Sequence, residues 1–213
     1  MRVAFFIDGF NVYYSIVNAI RARSITNGKW LDYYSLCETF RRDVPDLGSA
    51  YTLASVNYYS ALATHLQDHT KVLRHKALVK ALEHRGVNVQ LGLFRYKGMK
   101  RCNNCNVSWP THEEKETDIN LALGLFKCFA LDQADTAVIL SADTDMISVV
   151  REARSFFPGK KVAVGFPYGK NSNDLRSASD FTFTIRAEQY QNHQFPNLIV
   201  LPGGVTIAKP SAW

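Results

Sequence analysis

The chain opens on an unbroken apolar run, Arg2–Asp8 (RVAFFID), which ends at Gly9. A run of that length without polar alternation predicts a strand buried on both faces. Asn11 to about Arg21 reads as a helix, and Tyr34–Arg42 as a second one that stops before Pro45. Tyr51–Tyr59 (YTLASVNYY) is β-branched and aromatic and predicts a second strand. Thr70–Arg85 carries Val72, Leu73, Leu78, Val79 and Leu82 at helical spacing, with Gly86 as the stop. Val87–Tyr96 alternates as a strand does, and Lys97–Pro110, with its Gly, Asn and Cys residues, reads as a loop or hairpin.

The second half continues the alternation. Glu113–Ala130 reads as a helix, Thr136–Ser141 (TAVILS) as a buried strand and Asp143–Phe156 as a helix. Lys160–Gly165 is a further strand, a short helix lies near Ser172–Ser179, and Phe181–Ile185 closes the sheet. Strands alternating with helices predict an α/β fold: a mainly parallel sheet with helices on both faces, α/β/α in three layers. From Ala187 the text turns polar and then Pro/Gly-rich (NLIVLPGGVTIAKP). The expected organisation is therefore one domain over 1–186, with an insertion at about 97–112, and a C-terminal extension over 187–213 that holds at most one more short strand.

Composition agrees with a packed domain: 213 residues, of which 46% are hydrophobic, suffice for a real core. No run approaches the ~18 apolar residues of a membrane span. The opening MRVAFFIDGFNVYYSI is interrupted by Asp8 and Asn11 and is followed by no small-residue cleavage site, so it reads as a core strand and not a signal peptide. The expected location is the cytoplasm, where four cysteines are thiols or metal ligands and not disulfides. A homodimer is compatible with an exposed hairpin and tail.

Charge adds a partner. Between Lys71 and Arg101 there are nine cations against Glu83 alone, a surplus of +8. The whole chain carries +6, so the remainder is near −2. A basic surface on an otherwise slightly acidic chain points to a polyanion such as RNA; the plain alternative is a solvated helix face.

Parallel sheets place their chemistry beyond the carboxyl ends of the strands, where the strand order reverses. Asp8 ends the first strand, and Asp143 and Asp145 follow TAVILS in SADTD. If those two strands are central neighbours, the three carboxylates meet at one rim. Asp118 is the fourth candidate, on a helix near Ala122 and Leu125 at the edge of an apolar face, where a charge needs a partner. Each acid also has an ordinary explanation. Asp143 and Asp145 suit a helix start, Asp8 suits a turn before Gly9, and Asp118 suits a pair with Lys115. Together, however, crowded carboxylates repel unless a cation sits among them. Oxygen-only ligands suit Mg²⁺ or Mn²⁺, one ion or two, which activate water and offset charge in phosphodiester hydrolysis.

IDGFN (Ile7–Asn11), EEKETDINLAL (Glu113–Leu123) and ILSADTDM (Ile139–Met146) resemble, in order, three signature blocks of the NYN branch of the PIN-like nucleases. The resemblance runs over about residues 3–185. It implies a Rossmann-like doubly wound sheet and metal-dependent endoribonuclease activity, with acids at Asp8, Asp118, Asp143 and Asp145. It also implies that Asn11 orients the first aspartate. Ser141 and Thr144, as hydroxyls, and Glu114 and Lys115 are the expected supporting groups.

Cys102 and Cys105 form a C-x-x-C pair, half of a structural zinc site; His112, His65, His69 and His75 are the candidates to complete it, and a loose thiol pair is the alternative. Lys97, Lys100, Arg101 and Trp109, with Arg74 and Lys76 upstream, combine phosphate-tracking cations with an aromatic that either stacks on bases or packs into the core. Tyr58, Tyr59 and Tyr96 are further ring candidates. A phosphatase working through an aspartyl-phosphate is a weaker reading of Asp143-Thr-Asp145, because Ile147 stands where that pattern wants Thr or Val. No G-x-G-x-x-G follows the first strand, which disfavours a dinucleotide site. The non-catalytic alternative is an RNA-binding regulatory scaffold.

Overall fold

The computed structural model describes residues 1–48 and 51–213. Its centre is the strand β1 (Arg2–Asp8), whose side chains alternate between two cores. Val3, Phe5 and Ile7 face one core, Ala4 and Phe6 the other. That explains why the run is apolar throughout: a parallel strand covered on both faces has no solvent side.

Helices α1 (Gly9–Arg21), α2 (Tyr33–Asp43) and α3 (His69–His84) cover the first face. Helices α4 (Thr117–Ala130), α5 (Met146–Phe156) and α6 (Asn173–Ala178) cover the second. Between them lie β2 (Thr52–Ala61), β3 (Asn88–Arg101), β4 (Ser108–Lys115), β5 (Thr136–Leu140), β6 (Lys161–Phe166) and β7 (Phe181–Thr184). With β1 they form one seven-stranded sheet in the order β4-β3-β2-β1-β5-β6-β7. All neighbouring pairs run parallel except β3 and β4, which form an antiparallel hairpin. The expected three-layer α/β architecture is therefore the observed one. The chain steps from β1 outward to β2 and β3, then returns to the other side of β1 with β5, so the order reverses between β1 and β5.

The hairpin departs from the periodicity reading. Glu113 to Lys115, expected in a helix, belongs to β4 and pairs with Leu93 to Arg95 of β3. Alternation of Thr111, Glu113 and Lys115 with His112 and Glu114 is a strand pattern; the following run of helix formers masked it. Strand and helix are separated by Glu116 alone, held at φ +80°. A β-carbon on Gly92 would lie 2.4 Å from the Lys115 carbonyl oxygen, so the turn into α4 closes over a position that tolerates only glycine. The helix expected from Asp143 begins at Met146, after a turn.

Past β7, α7 (Ala187–Asn192) and a small antiparallel pair, β8 (Leu198–Val200) and β9 (Thr206–Ala208), fold back on the first core. Tyr190, Phe195, Ile199 and Ile207 are buried in it, and the Trp30 indole N–H donates to the Pro196 carbonyl over 3.0 Å. Two strands stand where at most one was expected. Among the described residues, no helix is long and apolar enough to cross a membrane.

Candidate functional site

The reversal between β1 and β5 brings the ends of two strands side by side. Ile7 pairs with Leu140 in register, so Asp8 and Ser141 are next to each other at the rim. Asp8 is the N-cap of α1, with its carboxylate accepting the Asn11 backbone N–H at 2.9 Å. Its other oxygen accepts the Ser141 hydroxyl, also at 2.9 Å. The same hydroxyl oxygen accepts the Asp143 backbone N–H at 3.1 Å, and Asp143 in turn accepts from Asp145 N–H at 3.1 Å. One serine thus joins the first aspartate to the loop that carries the third.

Asp8, Glu114, Asp118 and Asp143 line one small, open, mostly polar cavity together with Phe10, Asn11, Tyr14, Thr117 and Lys170. Five parts of the fold meet there: β1 with α1, the base of the β3–β4 hairpin, the start of α4, and the loops after β5 and β6. The acids that the sequence placed far apart are assembled, with one exception. Asp145 is exposed at the start of α5 and does not line the cavity, although its charge acts on Asp118. Thr144 is exposed and also lies outside the lining.

Electrostatics follow from the crowding. Burial pushes the Asp8 carboxyl up to about 6, partly offset by its two donors and reinforced by the charges of Asp118 and Asp143. Partial desolvation raises Asp118 too, with Asp143 and Asp145 adding to it. Glu114 is raised by burial and by Asp8 and Asp118, against the opposing pull of the nearby Thr117 hydroxyl. The geometry of that approach is too poor for a hydrogen bond, so Glu114 Oε1 and Thr117 Oγ1 are both buried without a well-formed one. Among the described residues, none of Asp8, Asp118, Asp143 or Asp145 has a Lys, Arg or His within salt-bridge distance. Lys115, the alternative partner of Asp118, pairs instead with Glu113 at 3.0 Å, because it sits on a strand and not one helical turn away.

Two features were not visible in the sequence. Lys170, from the loop after β6, reaches the cavity and donates to Asn11 Oδ1 over 3.0 Å. Burial lowers its pKa, against the pull of Asp8 and Asp143. Asn11 Oδ1 also accepts from the Ala142 N–H at 3.2 Å. Asn11 therefore orients Asp8 through its backbone, while its side chain ties together the loops after β5 and β6. Neither role leaves a periodicity or spacing signal; lysines in loops are usually just solvated.

The donor set is oxygen-only, like-charged and part-orphaned, which fits a hard divalent cation. Among the described residues, no three His, Cys, Asp or Glu side chains stand close enough to enclose an ion by themselves. The fit is thus to an ion that keeps part of its water shell and reaches some carboxylates through it, as Mg²⁺ commonly does. The same finding bears on the cysteines. Cys102 is partly exposed and Cys105 exposed at the hairpin tip, and among the described residues no third ligand joins them. His112, a candidate to complete a zinc site, pairs with Tyr96 lower on the ladder and stacks on His65 at 4.2 Å between centroids. His65 in turn meets Phe94 at 4.6 Å. The described residues alone therefore close no tetrahedral zinc site.

The basic candidates divide. Lys97 is tied to Glu113 at 3.0 Å, whereas Lys100 and Arg101 form no ion pair among the described residues and face Trp109 and Ser108 across the ladder. Trp109 is exposed, as is Tyr96; Tyr58 and Tyr59 are core. Arg74 lies on α3 bonded to Thr70, and Lys76 is exposed on the same helix.

Comparison with known proteins adds the family. The family model described as NYN domain matches residues 2–187. Among solved structures, a protein of unknown function from Vibrio parahaemolyticus shares the fold, with a TM-score of 0.54 and 17% identity over 86% of this chain and 92% of that one. No curated protein matches the chain.

Proposed function

The chain belongs to the NYN domain family of PIN-like nucleases, and from that premise we propose that it is a divalent-metal-dependent endoribonuclease that hydrolyses phosphodiester bonds of single-stranded RNA. One observation carries the reading. Asp8, Glu114, Asp118 and Asp143 line one rim cavity at the reversal of the strand order, with no Lys or Arg paired to the three aspartates among the described residues.

Asp8, Asp118 and Asp143 are the groups that would hold Mg²⁺ or Mn²⁺, with Asp145 and Glu114 beside them. When bound, such an ion neutralises phosphate charge and lowers the pKa of a water. The chain's own residues do the rest. Ser141 and the Asn11 N–H fix the Asp8 carboxylate against rotation. Asn11 locks the β5–α5 loop so that Asp143 keeps its place. Lys170 supplies a fixed positive charge at the cavity wall, suited to a non-bridging phosphate oxygen. The exposed hairpin, with Lys100, Arg101 and Trp109, suits the flanking strand.

The test is cleavage of end-labelled single-stranded RNA with Mg²⁺, Mn²⁺ or EDTA, for wild type, Asp8→Asn and Asp143→Asn. Metal-dependent internal cuts that both variants lose support the proposal. RNA binding without cleavage under any metal would instead identify a regulatory scaffold.

A further inference from the structure

A second cavity opens on the same rim, between α1 and α3. Its volume is about 320 Å³, at the lower end of the ~300–1,000 Å³ usual for small-molecule sites. Phe10, Tyr13 and Tyr14 of α1, Tyr58 of β2, and Val72 and Leu78 of α3 form its walls, and Trp213 closes one side. Phe10 and Tyr14 line the acid cavity as well, so one begins where the other ends.

The two differ in charge. Among the described residues no carboxylate lines the aromatic cavity, and Lys71 and Arg74 stand in its wall. Lys71 is only loosely paired, 3.9 Å from Asp68, and Arg74 donates to the Thr70 hydroxyl and, among the described residues, to no acid. His75, also in the wall, keeps its Nε2 buried without a partner. Burial pushes its pKa down to about 4, so the ring is neutral at physiological pH. A buried orphan nitrogen is costly and calls for a partner supplied from outside the chain.

Aromatic walls, cations and one unsatisfied polar group are the chemistry of a base-stacking site on a nucleic-acid path. We propose that this cavity receives the base of an unpaired nucleotide next to the phosphate engaged at the acid cavity, with His75 meeting the base edge and Lys71 and Arg74 its flanking phosphate. The proposal rests on the reading that the acid cavity engages an RNA backbone. Two neighbouring cavities of opposite charge then divide one nucleotide step between them. The acid cavity takes the phosphate through a cation, and the aromatic cavity fixes which phosphate that is.

The experiment is an abasic scan. In a short single-stranded RNA, each position is replaced in turn by an abasic nucleotide, and the affinity of the full-length protein is measured with Ca²⁺ present; cut sites are mapped separately with Mn²⁺. The expected result is one position, adjacent to the cut, where base removal weakens binding about tenfold while other positions change little. That penalty is expected to vanish in Tyr13→Leu and His75→Leu, and to persist partly in His75→Asn. A flat scan with wild type overturns the proposal, and needs no variant to fold. Uridine monophosphate competing as tightly as the RNA would also overturn it, by making the cavity a free-nucleotide site. Metal-dependent cleavage with a flat scan leaves the nuclease reading standing without the cavity. A position-specific scan without cleavage leaves the cavity standing and removes the nuclease.

Discussion

Ser141 donates its hydroxyl to the Asp8 carboxylate over 2.9 Å although 133 residues separate them. The bond joins the ends of β1 and β5 at the point where the sheet reverses order, so the core pairing of two apolar strands becomes the positioning of an acid. Two donors normally hold a carboxylate below its usual range. Here burial outweighs them and leaves Asp8 at about 6. Asp8 is thus held in place without being neutralised.

That imbalance predicts the effect of Asp8→Asn on stability. A folded-state pKa of about 6 against 3.8 means the folded chain binds more protons in that interval, so wild-type stability falls as pH rises through it. Above about pH 6 the full penalty applies, at most about 3 kcal/mol from the two-unit shift. In EDTA, Asp8→Asn should melt higher than wild type at pH 7.5, and the difference should close as the pH drops to 4. Thermal melts over that pH series check it; a variant less stable than wild type at pH 7.5 contradicts the account.

Divalent ions should reverse the penalty. A cation at 100 times its Kd stabilises the folded state by roughly 2.7 kcal/mol. Mn²⁺ should therefore raise the wild-type melting temperature, with the apparent affinity strengthening as pH rises toward and through 6, where Asp8 loses its proton. EDTA should restore the original value, and Asp118→Asn should show a smaller rise. Calorimetric titration at pH 5 and pH 7.5 measures both effects.

Lys170 should push binding and catalysis in opposite directions. Lys170→Met removes a positive charge from a cavity lined by four carboxyl groups. Mn²⁺ should then bind more tightly, while cleavage falls on the order of tenfold or more for loss of one phosphate-directed charge. Metal titration beside single-turnover cleavage separates the two; parallel losses in both would mean the residue is merely structural.

Gly92→Ala should damage the site without touching an acid. Its β-carbon would meet the Lys115 carbonyl at 2.4 Å, backbone that has no room to yield. The expected cost is about 1–3 kcal/mol of stability, with a displaced start of α4 and hence of Asp118. A melting temperature equal to wild type would show that the β4–α4 turn is softer than argued.

On the hairpin, Lys100→Ala and Arg101→Ala should each lower the slope of log affinity against log salt by about 0.7 if each neutralises one phosphate of a single strand. Trp109→Ala should weaken binding with the slope unchanged, since stacking releases no counterion. Fluorescence anisotropy at several salt concentrations distinguishes the two classes.

How much of this was legible in the sequence depends on the range of the interaction. β1 was legible to the residue, because a strand covered on both faces must be apolar at every position. Glu113 to Lys115 misled because three residues of strand ran into a long helix with no proline or glycine between them; what separates them is a tight turn at Glu116 enforced by β3. Asp8 and Asp143 were named because strand ends mark where chemistry collects in a parallel sheet, and Asp118 from a charge at the edge of an apolar helix face together with the motif.

Sequence alone therefore determined the layers and the central strand and named the candidate acids, because burial and strand termini are local properties that periodicity and short motifs record. Tertiary structure decided which acids face the cavity. It left Asp145 outside, brought Lys170 in, gave Asn11 its double role and set the aromatic cavity beside the acid one. Those outcomes depend on where loops from distant strands land when the sheet reverses, and no local pattern encodes the distance between two side chains that meet only after the core has formed.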